Sequence, residues 1–326
     1  MGTPWWRRIR GSLAVIVLLA AVPVLSARAL DSRSVTTAQK SGTKATLMGV
    51  FFHDSKLGWT VGAGGTILKT LDGGNRWKIV ASGTKATLTG IFFTDSRNGW
   101  IVGSNGTILH SKDGGEKWTT QVSGTQAPLY GVYFLTPAEG WVVGGNGNLL
   151  HSTDAGSTWS DVTTVTNASL YAIHFMDQQH GLAVGALGTI LLTQDGGRTW
   201  AGRDTKSAAT FFDVVFADNM NAWAVGNAGA MFQTTDGGTT WTDRTLPCLQ
   251  HCSRVTDLLR IRFSDAKTGW AVGERGAIYK TTDAGLSWME VPNAIKSSLY
   301  ALAFPDSSHG WAAGERGTIL RVKDHN

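Results

Sequence analysis

Charge is scarce in this sequence: Asp, Glu, Lys and Arg make up 16% of the 326 residues, against 42% hydrophobic side chains and 41 glycines. That balance excludes an intrinsically disordered chain and points to a packed globular body. Long apolar runs are missing as well. The single run, Leu13 to Leu25, is short for a membrane span and follows the basic residues Arg7, Arg8 and Arg10. With the small-residue pattern at Ala27 to Ala29, it reads as a secretory signal peptide over residues 1–29, leaving 30–326 as the mature chain. No lipobox cysteine stands before that expected start. The exported product is placed in the periplasm or outside the cell.

Cysteine is almost absent: the chain has only Cys248 and Cys252. In an exported protein this pair reads as a disulfide that staples its own loop. A metal site on the intervening His251 would need further ligands that the segment does not offer, and none is expected. Excess charge is also absent once the signal is removed. The 29 basic residues lose Arg7, Arg8, Arg10 and Arg28, which leaves 25 against 24 acids, a net charge of +1. A nucleic-acid partner therefore loses its electrostatic basis.

What the chain does have is a repeat. A Ser/Thr-x-Asp-x-Gly-x-x-Trp element, the Asp box, recurs with its aspartate at Asp72, Asp113, Asp154, Asp195, Asp236 and Asp283, and the same Asp position returns at Asp324. The spacing is 41 residues at every step but one, which is 47. That period suits one four-stranded propeller blade. Each repeat predicts an apolar strand ending in Phe (Phe52, Phe93, Phe134, Phe175, Phe216, Phe263, Phe304), a Gly-Trp-x-Val-Gly strand, a Thr-Ile-Leu strand, and an outer strand after the Asp box.

Seven first strands, beginning at Leu47, Leu88, Leu129, Leu170, Phe211, Leu258 and Leu299, predict an all-β, seven-bladed β-propeller with four-stranded blades. The seventh repeat stops before its outer strand. Residues around Val35 to Gln39 precede a copy of the inter-blade link and are expected to supply that strand, closing the ring and removing its edges.

The repeated residues are accounted for by building such a ring. Asp accepts backbone hydrogen bonds in a tight turn, Gly supplies a positive φ, and Trp buries a large face between blades. All twelve tryptophans of the expected mature chain fall on repeat positions, with Leu182 replacing one in the fourth blade. Asp54, Asp95, Asp177, Asp218, Asp265 and Asp306, each two residues after the Phe, are expected in Asx turns.

Function is therefore sought where blades differ. Arg275 and Arg316 occupy one turn position in neighbouring blades, preceded by Glu274 and Glu315, where earlier blades carry Gly64, Asn105, Asn146, Leu187 and Ala228. With Lys44, Lys85, Lys206 and Lys296 in the links, they predict a basic face fitted to an acidic segment of a protein partner. Solvated surface with local Glu–Arg pairing is the alternative. Asp213 and Arg260 replace a small first-strand residue in adjacent blades and are expected to pair near the central channel, with Arg262 extending the basic zone. His110 and His151 are expected at the surface.

Taken together, these motifs, clearest from Gly99 to Trp118, resemble the bacterial neuraminidase repeat proteins and most closely the photosystem II stability and assembly factor-like family. The resemblance covers essentially the whole mature chain. It implies a propeller scaffold without cofactor or catalytic residues that binds a protein partner, such as a membrane-protein precursor or its acidic segment, and meets the membrane only indirectly. In oxygenic phototrophs, members are lumenal assembly factors that bind a reaction-centre precursor through an arginine-rich patch. A lumenal location follows here only if the host is such an organism, and the lipoprotein cysteine of many cyanobacterial members is missing. The reading is thus an exported, non-enzymatic, monomeric scaffold with Arg275, Arg316, Arg260, Arg262, Glu274 and Glu315 at its binding face. The competing reading is an Asp-box glycoside hydrolase or glycan-binding propeller. Arg260-Ile261 lacks the proline of a sialidase start, and Glu274 with Glu315 is the best remaining carboxylate pair for a hydrolase.

Overall fold

The computed structural model describes residues 36–246 and 256–323. The expected signal peptide, Cys248 and Cys252 with their disulfide, His251 and Asp324 lie outside the described residues. Among those described, no helix is long and apolar enough to cross a membrane.

Seven four-stranded antiparallel sheets surround one axis. The first blade runs outward through Leu47–Phe52, Gly58–Gly62, Thr66–Thr70 and Lys78–Val80. Its second strand is buried at every position because both of its faces meet neighbouring blades. The seventh blade takes its outer strand from the other end of the chain: Thr36–Gln39 pairs antiparallel with Ile319–Lys323, Thr36 opposite Val322 and Gln39 opposite Ile319. The expected closure is therefore present, and residue 36 is where the described strand begins.

The hydrophobic core is divided among the seams between blades rather than gathered in one centre. Trp59, Val61 and Ile67 of the first blade pack with Leu88, Ile91 and Phe93 of the second. Six of the seven first-strand Phe side chains lie against the second-strand Trp of the preceding blade, Phe216 meeting Leu182 instead: Trp59 stacks on Phe93 with ring centroids 3.7 Å apart, Trp100 on Phe134 at 3.7 Å, and Trp311 on Phe52 at 3.6 Å across the closure. The same indoles reach the next Asp box, Trp59 donating to the Gly114 carbonyl at 3.0 Å and Trp100 to that of Ala155 at 3.2 Å. Gly115 must be glycine for two reasons: its φ is +78°, and a Cβ there would lie 2.6 Å from the Trp59 Nε1.

The Asp-box carboxylates are spent inside their turns. Asp72 accepts from the Thr70 hydroxyl at 3.0 Å and from the Arg76 amide at 2.9 Å, while Thr70 Oγ1 accepts the Gly74 amide at 2.8 Å. The first of these amide bonds holds Asp72 below the usual carboxylate range. The Asx turns are formed as expected, with Asp54 accepting the Lys56 and Leu57 amides, both at 2.7 Å.

Candidate partner-binding face

Strand direction decides which residues share an end of the ring. The first strand begins where the second ends, Leu47 opposite Gly62, so the inter-blade links and the turns between second and third strands lie at one end. The Asx turns and Asp boxes lie at the other. Arg275 and Arg316 stand in the three-residue turns Glu274–Gly276 and Glu315–Gly317 at the link end.

Hydrogen bonds between these turns and links order the basic residues around the face. The amide of Glu315 donates to the Ser298 carbonyl, and Gly317 donates to the Ala45 carbonyl at 2.8 Å. The link carrying Lys296 therefore runs between the turns of Arg275 and Arg316, and the link carrying Lys44 follows Arg316. Lys85 stands in the next link. Arg275, Lys296, Arg316, Lys44 and Lys85 are all exposed and form an arc over the sixth, seventh and first blades. Lys206 sits in the link between the fourth and fifth blades, apart from that arc.

Both arginines occupy left-handed backbone, with φ of +54° at Arg275 and +55° at Arg316. The earlier blades place Gly64, Asn105, Asn146, Leu187 and Ala228 at the same conformation. A branched-at-length cation is an unfavourable choice there, since an L-residue in this region costs about 1–2 kcal/mol. The local Glu–Arg pairing of the alternative reading is not formed: among the described residues no carboxylate lies within 4.0 Å of either guanidinium. Glu315 is instead held by the Ser298 amide and the Tyr300 hydroxyl, both at 3.2 Å. Burial raises the Tyr300 phenol, followed by the Glu315 carboxylate and, more weakly, Glu274. The carboxylate of Glu315 is thus turned to the protein and leaves its neighbouring cation to solvent.

The central channel departs from expectation. Asp213 pairs with Arg262, not with Arg260: Asp213 Oδ2 accepts from Arg262 Nη1 at 2.5 Å and from the Ile261 amide at 3.0 Å. Ile261 sits on the inner strand edge, where the ladder leaves its N–H unpaired, and this donor draws the carboxylate toward the Arg262 side. Arg260 Nη1 turns to the carbonyls of Leu259, at 2.8 Å, and Phe212, at 3.4 Å. Arg260 and Arg262 therefore lie in the channel, away from the arc of Arg275 and Arg316.

His110 is also a correction. It is buried and stacks on Trp100 at 4.5 Å, and desolvation lowers its pKa to about 4. The cause is register: the third-strand residue opposite the tryptophan lies over the indole. His151 does the same on Trp141 at 4.7 Å while its Nε2 meets Glu139 at 3.1 Å. Lys69, Lys280 and Arg321 place cations over Trp59, Trp270 and Trp311 at 5.9, 5.0 and 5.8 Å. The pattern was available in the sequence as a basic or aromatic residue directly after the Thr-Ile-Leu run, but only pairing register gives it meaning.

The fold and face together define a seven-bladed Asp-box propeller with a basic end and no cluster of metal-binding side chains among the described residues. The family described as photosynthesis system II assembly factor YCF48 matches residues 75–167, 157–210, 204–292 and 247–323, and the chain belongs to that family. Among solved structures it is similar to YCF48 bound to a D1 peptide, at 21% identity over 91% of this chain and 99% of that one, with a TM-score of 0.76. It is similar to YCF48 from Cyanidioschyzon merolae, at 20% identity over 88% and 98% of the two chains, with a TM-score of 0.74. A xyloglucanase from Xanthomonas campestris shares the fold at 12% identity, covering 88% of this chain and 53% of that one, with a TM-score of 0.73. No curated protein matches. Binding proteins and enzymes thus share this architecture, and the site must separate them.

Proposed function

We propose that this chain is an exported, non-enzymatic scaffold that holds an acidic segment of a protein partner, a membrane-protein precursor, on the link end of its ring. The reading is carried by the arc of Arg275, Lys296, Arg316, Lys44 and Lys85: five exposed cations on three adjacent blades, with the Glu315 carboxylate beside Arg316 engaged by Ser298 and Tyr300. Family membership supports it, as does the peptide held by one similar propeller. Cations clustered at spacing set by rigid blades attract an extended acidic chain and fix its orientation. Arg260 and Arg262 are removed from this surface by their place in the channel. The protein works in the periplasm or outside the cell, or in the thylakoid lumen if its host is an oxygenic phototroph.

Affinity capture from a periplasmic extract tests this, with bound proteins identified by mass spectrometry. The mature protein is expected to retain a partner that Arg275→Glu with Arg316→Glu loses, while the melting temperature of the double variant stays within a few degrees. Equal capture by both would remove the arc from consideration. Turnover of fluorogenic sialosides or glucosides, abolished in Glu274→Gln, would replace the reading with the hydrolase.

A further inference from the structure

The inner strands crowd one another around the axis at the position held by Gly49, Gly90, Gly131, Ala172 and Ala301. A Cβ on Gly90 would already lie 2.9 Å from the Tyr130 carbonyl oxygen, and one on Gly131 would lie 3.0 Å from the Val143 side chain. The fold therefore asks for a small residue, and two neighbouring blades answer with Asp213 and Arg260. Ring building does not account for them.

These two residues and Arg262 line an axial cavity of about 90 Å³, which also touches Tyr130 and Tyr171. Among the described residues they are its only charged lining, two cations against one anion. Asp213 Oδ2 accepts from both Arg262 and the Ile261 amide. No carboxylate lies within 4.0 Å of Arg260 among the described residues, Asp213 supporting its charge only from farther off, and only its Nη1 meets a protein acceptor. Its Nε and Nη2 meet no protein acceptor among the described residues, and the side chain lines the cavity. His174, in the same region, stays neutral at physiological pH: burial, and then Arg262, lower its pKa to about 4 against the opposing pull of Asp213. The cavity thus carries one uncompensated positive charge in a narrow, partly desolvated space, an arrangement that costs free energy unless a counter-charge enters.

We propose that the axial cavity is a binding site for a small carboxylate, received in the fork formed by Nε and Nη2 of Arg260. A planar guanidinium presents two parallel donors that match the two oxygens of such an anion. The volume admits several waters or one ligand of formate or acetate size, and a single negative charge neutralises the excess. The site lies on the ring axis and is separate from the arc of Arg275 and Arg316.

Formate titration of the mature protein tests this, with ionic strength held by sodium chloride, whose anion lacks the second oxygen that the guanidinium fork would bind. The melting temperature is expected to rise and saturate with formate, and ¹³C-formate resonances are expected to broaden. In Arg260→Met the half-saturating concentration is expected to increase at least tenfold and the broadening to vanish. Without added anion this variant is expected to melt no lower than the parent, because it removes an unpaired charge. Asp213→Asn, which leaves the second cation unopposed, is expected to lower the half-saturating formate concentration at least threefold. Identical formate responses in the parent and Arg260→Met would overturn the proposal. So would a response to inorganic phosphate with none to formate.

Discussion

Trp311 in the last blade donates its indole N–H to the carbonyl of Gly73 in the first, 3.2 Å away and 238 residues earlier in the chain. The same ring stacks on Phe52, so one side chain makes both the polar and the apolar half of the closure. Every other seam of the ring is closed between neighbours in sequence; this one brings the chain's two ends together.

Trp311→Ala is therefore expected to lower stability by about 3–5 kcal/mol, the usual cost of emptying a large buried aromatic site. Urea denaturation followed by tryptophan fluorescence measures it. A loss below about 1 kcal/mol would mean that the outer-strand pairing of Thr36–Gln39 closes the ring unaided.

Two glycines with similar dihedral angles separate backbone strain from packing. Gly64 has φ of +65° and open space around a Cβ, whereas Gly115 has φ of +78° and the Trp59 indole at 2.6 Å. Gly64→Ala is expected to cost about 1–2 kcal/mol from the left-handed backbone alone. Gly115→Ala is expected to cost a further 1–3 kcal/mol or so from overpacking. Equal denaturation midpoints for the two variants would show that the indole yields.

Arg275 and Arg316 exchange stability for surface charge. Arg275→Gly relieves the left-handed strain and restores the residue type of the first blade, partly offset by the greater freedom of glycine in the unfolded chain. A gain of about 0.5–1 kcal/mol is expected. Calorimetry together with partner capture would show a more stable protein that binds less. A destabilised Arg275→Gly would mean that the arginine side chain packs usefully where it stands.

Acid should weaken the fold before the aspartates titrate. His110 and His174 are held near 4 by burial, below the ordinary histidine value of 6.5. Between those values the unfolded chain binds protons that the folded chain refuses, so stability falls as pH drops through this window. The Asp-box and Asx-turn carboxylates, lowered by their backbone bonds, extend the decline below about pH 4. His110→Gln, the residue found at the matching Gln233, combined with His174→Phe, found at the matching Phe51, is expected to flatten the denaturation midpoint between pH 6.5 and 4.5. An unchanged slope in that double variant would place the proton uptake elsewhere.

The blade count, strand order and ring closure were readable in advance because each blade repeats the same solution to the same packing problem. The partners of individual charges were not. Asp213 and Arg260 are matched by repeat position, yet the carboxylate goes to Arg262 because the unpaired Ile261 amide lies on that side. Glu315 precedes Arg316 in sequence, yet the turn directs it to Tyr300 and Ser298. His110 looks like any polar residue in a strand until cross-strand register lays it on Trp100.

The amino-acid order alone determined an architecture, since a 41-residue period of apolar strands, glycine turns and tryptophans packs only by stacking like units around an axis. It also marked which positions break the pattern. Tertiary structure alone decided what those positions do: it lifted Arg275 and Arg316 onto an open face and drew Arg260 and Arg262 into the axis. The reason is that periodicity encodes which surfaces of a blade are alike, while the direction and partner of a long charged side chain depend on hydrogen-bonding groups supplied by neighbouring blades, which no local pattern records.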